Sequence, residues 1–142
     1  MDVQIAQAIR QIHPKEKTVY VSNDDYQGVQ ALCIMEQEDP TTFYFSTRRT
    51  SGRTRSYQRH PNVALYMTDR DNGIGVELHG NMVVHVDDVT KNKLWHDSLS
   101  AFFPGGVDDP EYCVLCFKAV SGEYVQSEQR IPFTADELIH TN

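Results

Sequence analysis

Five arginines crowd into twelve consecutive positions of an otherwise acidic chain: Arg48, Arg49, Arg53, Arg55 and Arg59. No Asp or Glu lies between Asp39 and Asp69, so nothing nearby in sequence neutralises them. Hydroxyls and a glycine are interleaved, in the order Ser46-Thr47-Arg48-Arg49-Thr50-Ser51-Gly52-Arg53-Thr54-Arg55-Ser56. Guanidinium groups offer planar, bidentate donors that match phosphate oxygens. Glycine lets a ligand approach the backbone closely. A helix starting here would add unpaired N–H groups and a partial positive charge. An arginine run in isolation is as often a solvated face. Its place between a strand and a helix favours an anion site, and a phosphate above other anions.

The elements that must hold this segment can be read from spacing. Val3, Ile5, Ala6, Ile9 and Ile12 form a helical stripe over about 2–12, with His13-Pro14 as its stop. Thr18 to Ser22 reads as a strand, and the segment through Gly28 as a turn. Val29 to Met35 is a second strand; Thr42 to Ser46 is a third, reached across a polar stretch containing Asp39-Pro40. Gly52 to His60 is a short helix ended by Pro61. Val63 to Thr68 and Ile74 to Val86 are strands joined by a turn at 69–73, and Gly80 suggests a bulge or bend in the second. Asp87 or Asp88 caps a helix reaching about Phe102, with Trp95, Leu99 and Phe102 on one face, read as core packing. Residues 103–110 form a loop, and Tyr112 to Ala119 and Glu123 to Gln126 complete the sheet. Thr134 and Glu137 make a capping box for a last helix over 134–139. The pattern predicts a mainly β domain over 1–142: a six- to seven-stranded antiparallel barrel over about 18–126, with peripheral helices and a C-terminal tail.

Composition narrows the partners. A net charge of −7 argues against nucleic acid as a bulk electrostatic partner. No apolar run is long enough to span a bilayer, and the first residues lack the order of a secretory signal, so a cytoplasmic location is expected. Three cysteines, Cys33, Cys113 and Cys116, make a poor disulfide framework. Cys113 and Cys116 are three apart on a strand and point to opposite faces, so neither a disulfide nor a shared metal is expected. His79 and His85 share a strand face but lie about 20 Å apart along it. Gly73-Ile74-Gly75 lacks the third glycine of a dinucleotide fingerprint, because Leu78 stands there.

From Thr18 to about Val125 the order of landmarks resembles the pyridoxamine 5'-phosphate oxidase-like FMN-binding split barrels, in particular their short general-stress-protein branch. The landmarks are Gly28, Met35, Thr47, Ser51-Gly52-Arg53, His60-Pro61-Asn62-Val63, Gly80, Trp95, Phe103 to Pro110 and Tyr112 to Val125. The resemblance implies a split β-barrel binding FMN. It places the family's phosphate-binding lysine at Arg53, preceded by Ser51 and Gly52, and the strand end that touches the cofactor at Ser46 and Thr47. Leu32 and Cys33 on the second strand, and Phe102 and Phe103 on the late loop, complete the implied contacts. The family's second phosphate ligand, an arginine, falls on Cys33, and Arg48, Arg49 or Arg55 are candidates to supply that charge. The resemblance further implies a homodimer with flavin at the interface, and a flavin-dependent oxidoreductase acting on a small molecule, with a nicotinamide as reductant. No catalytic residue is singled out, since the flavin carries the chemistry. A genuine pyridoxamine-phosphate oxidase is not expected, because residues 131–139 do not carry that enzyme's substrate contacts. A non-catalytic flavin-binding module, or a split barrel holding haem or a deazaflavin, are the alternatives.

Overall fold

The computed structural model describes residues 2–15, 18–25 and 28–139. Helix α1 spans Asp2–Lys15, followed by strands β1 (Thr18–Asn23), β2 (Gln30–Cys33), β3 (Glu36–Asp39) and β4 (Thr42–Arg48). Helix α2 (Gly52–Arg59) leads into β5 (Asn62–Asp69) and β6 (Ile74–His85). Helix α3 (Asp88–Leu94) and two 3-10 turns, Asp97–Ala101 and Gly106–Asp108, precede β7 (Tyr112–Gln126), β8 (Gln129–Thr134) and α4 (Ala135–Ile139).

The strands pair in the order β2-β1-β5-β6-β7-β4-β3, with β8 added beside β7 and every pairing antiparallel. The two ends of that path, β2 and β3, are consecutive in the chain and separated only by Ile34 and Met35. The sheet therefore curls until one bent strand joins its ends, and Met35 N–H donates to the Tyr44 carbonyl at the join (2.8 Å). β7 borders β4 from Tyr112 to Lys118, then switches to β8 from Ser121 to Gln126. This change of partner is where the barrel splits. Its pivot is a bulge opposite His79 and Gly80, where a Cβ on Gly80 would run into the Lys118 carbonyl and lie 2.8 Å from Ala119 Cα.

Strand alternation supplies the core. Val63, Leu65 and Met67 of β5 are buried with exposed or half-buried residues between them, and Phe43 and Phe45 of β4 do the same. Ile5, Ala6 and Ile9 of α1 join this inner cluster. A second, smaller cluster of Leu94, Leu99, Phe103, Tyr112 and Val114 lies outside the barrel, between α3, the following loop and β7.

The mainly β split barrel expected from the sequence is the fold observed, but several elements differ. There are eight strands among the described residues rather than six or seven. β3 falls in a stretch read as a polar connection because its residues, Glu36-Gln37-Glu38-Asp39, carry no apolar alternation; β4 imposes strand geometry on it. β8 lies in the segment the sequence reads as a C-terminal tail, yet it pairs with β7 through Ile131 and Phe133, and its Pro132 sits on the sheet's free edge, where no N–H is needed. β7 is one strand, not two. The helix expected to reach Phe102 stops at Leu94: Trp95 turns extended and packs edge-on against Tyr112 (5.2 Å between centroids). A 3-10 turn then carries Leu99 inward and leaves Phe102 exposed at 62%. α1 continues to Lys15, past Pro14; a proline in the last turn forfeits only one helical hydrogen bond. The 103–110 loop contains a short 3-10 turn whose ends are drawn together by Asp109, whose carboxylate accepts the Gly105 and Glu111 N–H groups (both 2.9 Å).

Candidate functional site

The arginine-rich segment forms the expected strand-to-helix passage. Ser51 is the N-cap of α2: its Oγ accepts the Thr54 N–H (3.1 Å) and lies 2.8 Å from Thr54 Oγ1. Thr54 Oγ1 in turn donates to the Arg48 carbonyl (2.7 Å), so the helix start is tied to the end of β4. Ser51, Gly52 and Arg53 thus share the first turn of α2. The Arg53 guanidinium reaches toward the β1–β2 turn, where Nη2 lies 3.5 Å from the point a Cβ on Gly28 would occupy. Tyr57, one turn further along α2, donates its hydroxyl to Gln30 Oε1 at the start of β2 (2.5 Å). Burial pushes that phenol up to about 12, with the Arg53 charge pulling the other way.

At the far end of β2 lies a cavity of about 370 Å³ lined by Cys33, Met35, Ser46, Thr47, Arg48, Leu99, Phe102 and Phe103. Five residues expected to touch a cofactor, Cys33, Ser46, Thr47, Phe102 and Phe103, therefore meet in one place. Ser46 Oγ, in its wall, is out of reach of solvent and makes no hydrogen bond among the described residues. Arg48 spans the mouth: Nη2 donates to the Phe102 carbonyl (2.9 Å) and Cζ sits 5.4 Å from the centroid of the Phe103 ring. Leu32 points the other way, into the barrel core, and does not line the cavity. Ser51, Gly52 and Arg53 do not line it either: Ser51 stays beside the cavity's edge, its N–H donating to the Arg48 carbonyl (3.3 Å), while the Arg53 guanidinium reaches the opposite end of β2 at Gly28. In the sequence Leu99 reads only as core, and Arg48 only as one of three candidate charges. The same-face spacing of Cys33 with Met35, and of Ser46 with Arg48, was the signal for both ends of the wall.

Other groups singled out in the sequence are structural. Cys113 and Cys116 are buried, and Sγ of Cys113 makes a 3.6 Å contact with the Thr47 carbonyl. Burial pushes the Cys113 thiol up to about 11 and raises that of Cys116 too. No group of metal-ligating side chains occurs among the described residues. His79 lies 3.2 Å from Glu77, and His85 lies 3.2 Å from Asp87, so each has a carboxylate partner on its own strand or the adjoining turn. A larger groove of about 490 Å³ on the outer sheet face is lined by Asn23, Asp24, Asn62, His79, Asn81 and their neighbours. It contains none of the residues expected at the site and no Arg or Lys, so it does not suit a phosphate ligand.

The family described as pyridoxamine 5'-phosphate oxidase like matches residues 10–139. The chain belongs to that family. A protein from Clostridium acetobutylicum related to general stress protein 26 of Bacillus subtilis, of the pyridoxinephosphate oxidase family, is 25% identical and superposes with a TM-score of 0.86, over 97% of this chain and 99% of that one. General stress protein 26 from Bacillus anthracis is 19% identical with a TM-score of 0.71, covering 92% of this chain and 98% of that one. A general stress FMN/FAD binding protein from Xanthomonas citri shares the fold at 14% identity and a TM-score of 0.75, over 90% and 92% of the two chains. No curated protein matches the sequence. No helix among the described residues is long and apolar enough to cross a membrane.

Proposed function

We propose that this protein binds FMN along the outer side of β2, with the ring in the Cys33–Phe103 cavity and the phosphate at Ser51-Gly52-Arg53. The observation that carries this reading is the placement of two complementary sites at the two ends of one short strand. The cavity offers Met35, Leu99, Phe102 and Phe103 as apolar wall, with Thr47 and Arg48 as polar groups. Its volume lies at the low end for small-molecule sites, which suits a ring system whose charged tail extends elsewhere. The first turn of α2 and the Arg53 guanidinium form the anion end. From Gly28 to Cys33 an extended chain spans about 16 Å, a separation fit for a ligand with a ring at one end and a phosphate at the other.

Bound flavin would supply hydride and electron transfer, so the chain's own residues need only bind, orient and exclude water. That suits a flavin-dependent oxidoreductase acting on a small molecule, reduced by a nicotinamide. The outer sheet face left open by the helices exposes Tyr20, Val29, Tyr66 and Val120. A second copy covering this face gives the homodimer we infer. Free thiols at all three cysteines accord with a reducing, cytoplasmic setting.

The test is the visible spectrum of the protein as purified, followed by FMN titration of the apo-protein and addition of NADPH or NADH. Flavin bands that bleach with the nicotinamide support the whole reading. Bands that persist leave a non-catalytic flavin-binding module. Absence of any FMN binding overturns the reading. Sedimentation showing an FMN-loaded monomer at micromolar concentration overturns the dimer.

A further inference from the structure

The cavity at the end of β2 contains one cation, and it is not the arginine at the helix start. Arg48 lines the cavity; Arg53 does not, and neither do Arg49 or Arg55. Arg49 has its main-chain N–H committed to the Glu111 carbonyl (2.7 Å), and its side chain and that of Arg55 are exposed away from the lining. Arg48 forms no ion pair with a carboxylate within 4 Å among the described residues, and of its five N–H donors one is bonded, to the Phe102 carbonyl. Phe103, beneath the guanidinium, is buried and fixed against Tyr112 at 5.2 Å between centroids. The charge is held over the cavity by an aromatic ring and a carbonyl, with the Asp109 carboxylate near enough to interact with it but not paired to it.

We propose that Arg48 is a potential-setting residue: its positive charge favours the reduced over the oxidised form of a flavin ring in this cavity. The proposal rests on the FMN reading above. Reduction adds two electrons and one proton to the ring, so the ring gains one negative charge. A cation beside the ring binds the reduced form more tightly than the oxidised one, and that difference in affinity is a shift in midpoint potential. Arg53, at the phosphate end, meets a charge that does not change on reduction. The two arginines thus have separable roles: Arg53 acts on affinity, Arg48 on potential.

The experiment measures the midpoint potential of bound FMN during anaerobic reduction with dithionite against an indicator dye, in the unaltered protein and in Arg48→Ala, Arg48→Lys and Arg49→Ala. FMN affinity is measured in parallel by flavin fluorescence. Arg48→Ala is expected to lower the preference for reduced FMN about tenfold, which moves the potential by about 30 mV to the negative side for a two-electron couple. Arg48→Lys keeps the charge and retains most of the potential, and Arg49→Ala leaves it unchanged. If Arg48 merely ties the Phe102 loop in place, Arg48→Ala weakens both forms alike and the potential stays put, which overturns the proposal while the flavin reading stands. Equal shifts for Arg48→Ala and Arg49→Ala overturn it as well. Failure of the unaltered protein to bind FMN overturns both.

Discussion

Arg53 Nη2 lies 3.5 Å from where a Cβ on Gly28 would stand, so the start of α2 is pressed against a turn that has no side chain to offer it. Gly28 has φ of +92°, a conformation that L side chains rarely adopt. Gly28→Ala is therefore expected to cost about 1–2 kcal/mol of folding stability from backbone strain alone. Urea unfolding checks this. The added methyl makes only ordinary contact with Arg53, so FMN affinity should fall much less than in Arg53→Ala.

Arg53→Ala is expected to weaken FMN binding about ten- to a hundredfold while changing riboflavin binding little, since only FMN carries the phosphate that a guanidinium pairs with. Arg70, exposed in the β5–β6 turn, is the matched control: Arg70→Ala removes the same charge at the end of β1 opposite the Gly28 turn. Titration of apo-protein with each ligand, followed by flavin fluorescence, gives both numbers. Equal losses for the two variants, or for the two ligands, mean that the arginine island is a solvated face.

The three thiols should react in two classes. Cys33 is exposed at the cavity, whereas Cys113 and Cys116 are buried, with thiols raised by that burial. A thiolate is the reactive form, so a disulfide reagent at pH 8 should label one cysteine quickly and the others only on unfolding. Saturating FMN should slow the fast reaction. A fast thiol that FMN does not protect would place the ring elsewhere.

The N-cap of α3 sets a pH dependence. Asp87 accepts the Thr90 N–H (2.9 Å) and hydroxyl (2.7 Å), bonds that hold its carboxyl down at about 2. Its folded value lies below the unfolded value of about 3.9, so its contribution is complete above that point and is lost as the pH falls through about 2. The stability gap between the unaltered protein and Asp87→Ala should narrow as the pH falls from about 4 to about 2. Urea unfolding across that range checks it. A gap that widens on acidification would contradict the capping role.

Alternation made most of the barrel legible. Strands β1, β4, β5 and β6 follow apolar residues that return every second position; Gly80 faces the bulge on which β7 changes partner, but the extra residue, Val120, belongs to β7 and not to Gly80's own strand. β3 was illegible because four polar residues become a strand only through their partner, β4. The helix before Phe102 was overextended because Trp95, Leu99 and Phe102 have helical spacing, yet Trp95 gains more by turning onto Tyr112. At the site, the sequence grouped Ser46, Thr47 and Ser51-Gly52-Arg53 as one cradle. Only the Arg53 guanidinium leaves that group: the cap keeps Ser51 beside Arg48, while the first turn of α2 aims Arg53 at the β1–β2 turn. That division depends on a helix direction that residue order does not encode.

The join at Ile34 and Met35 gives the cavity a second consequence. Where β2 becomes β3, the barrel is closed by two four-residue strands meeting at a bend, and Cys33 and Met35 on either side of it both line the cavity. A ligand seated there touches the closing strand and β4 together, and so acts as a rivet across the barrel's weakest line. Local opening at the bend would have to expel that ligand, so its cost rises with ligand concentration. The amide of Met35, bonded to the Tyr44 carbonyl, is the reporter: its hydrogen exchange should slow on loading while amides at the β7–β8 hairpin, remote from the cavity, keep their rates.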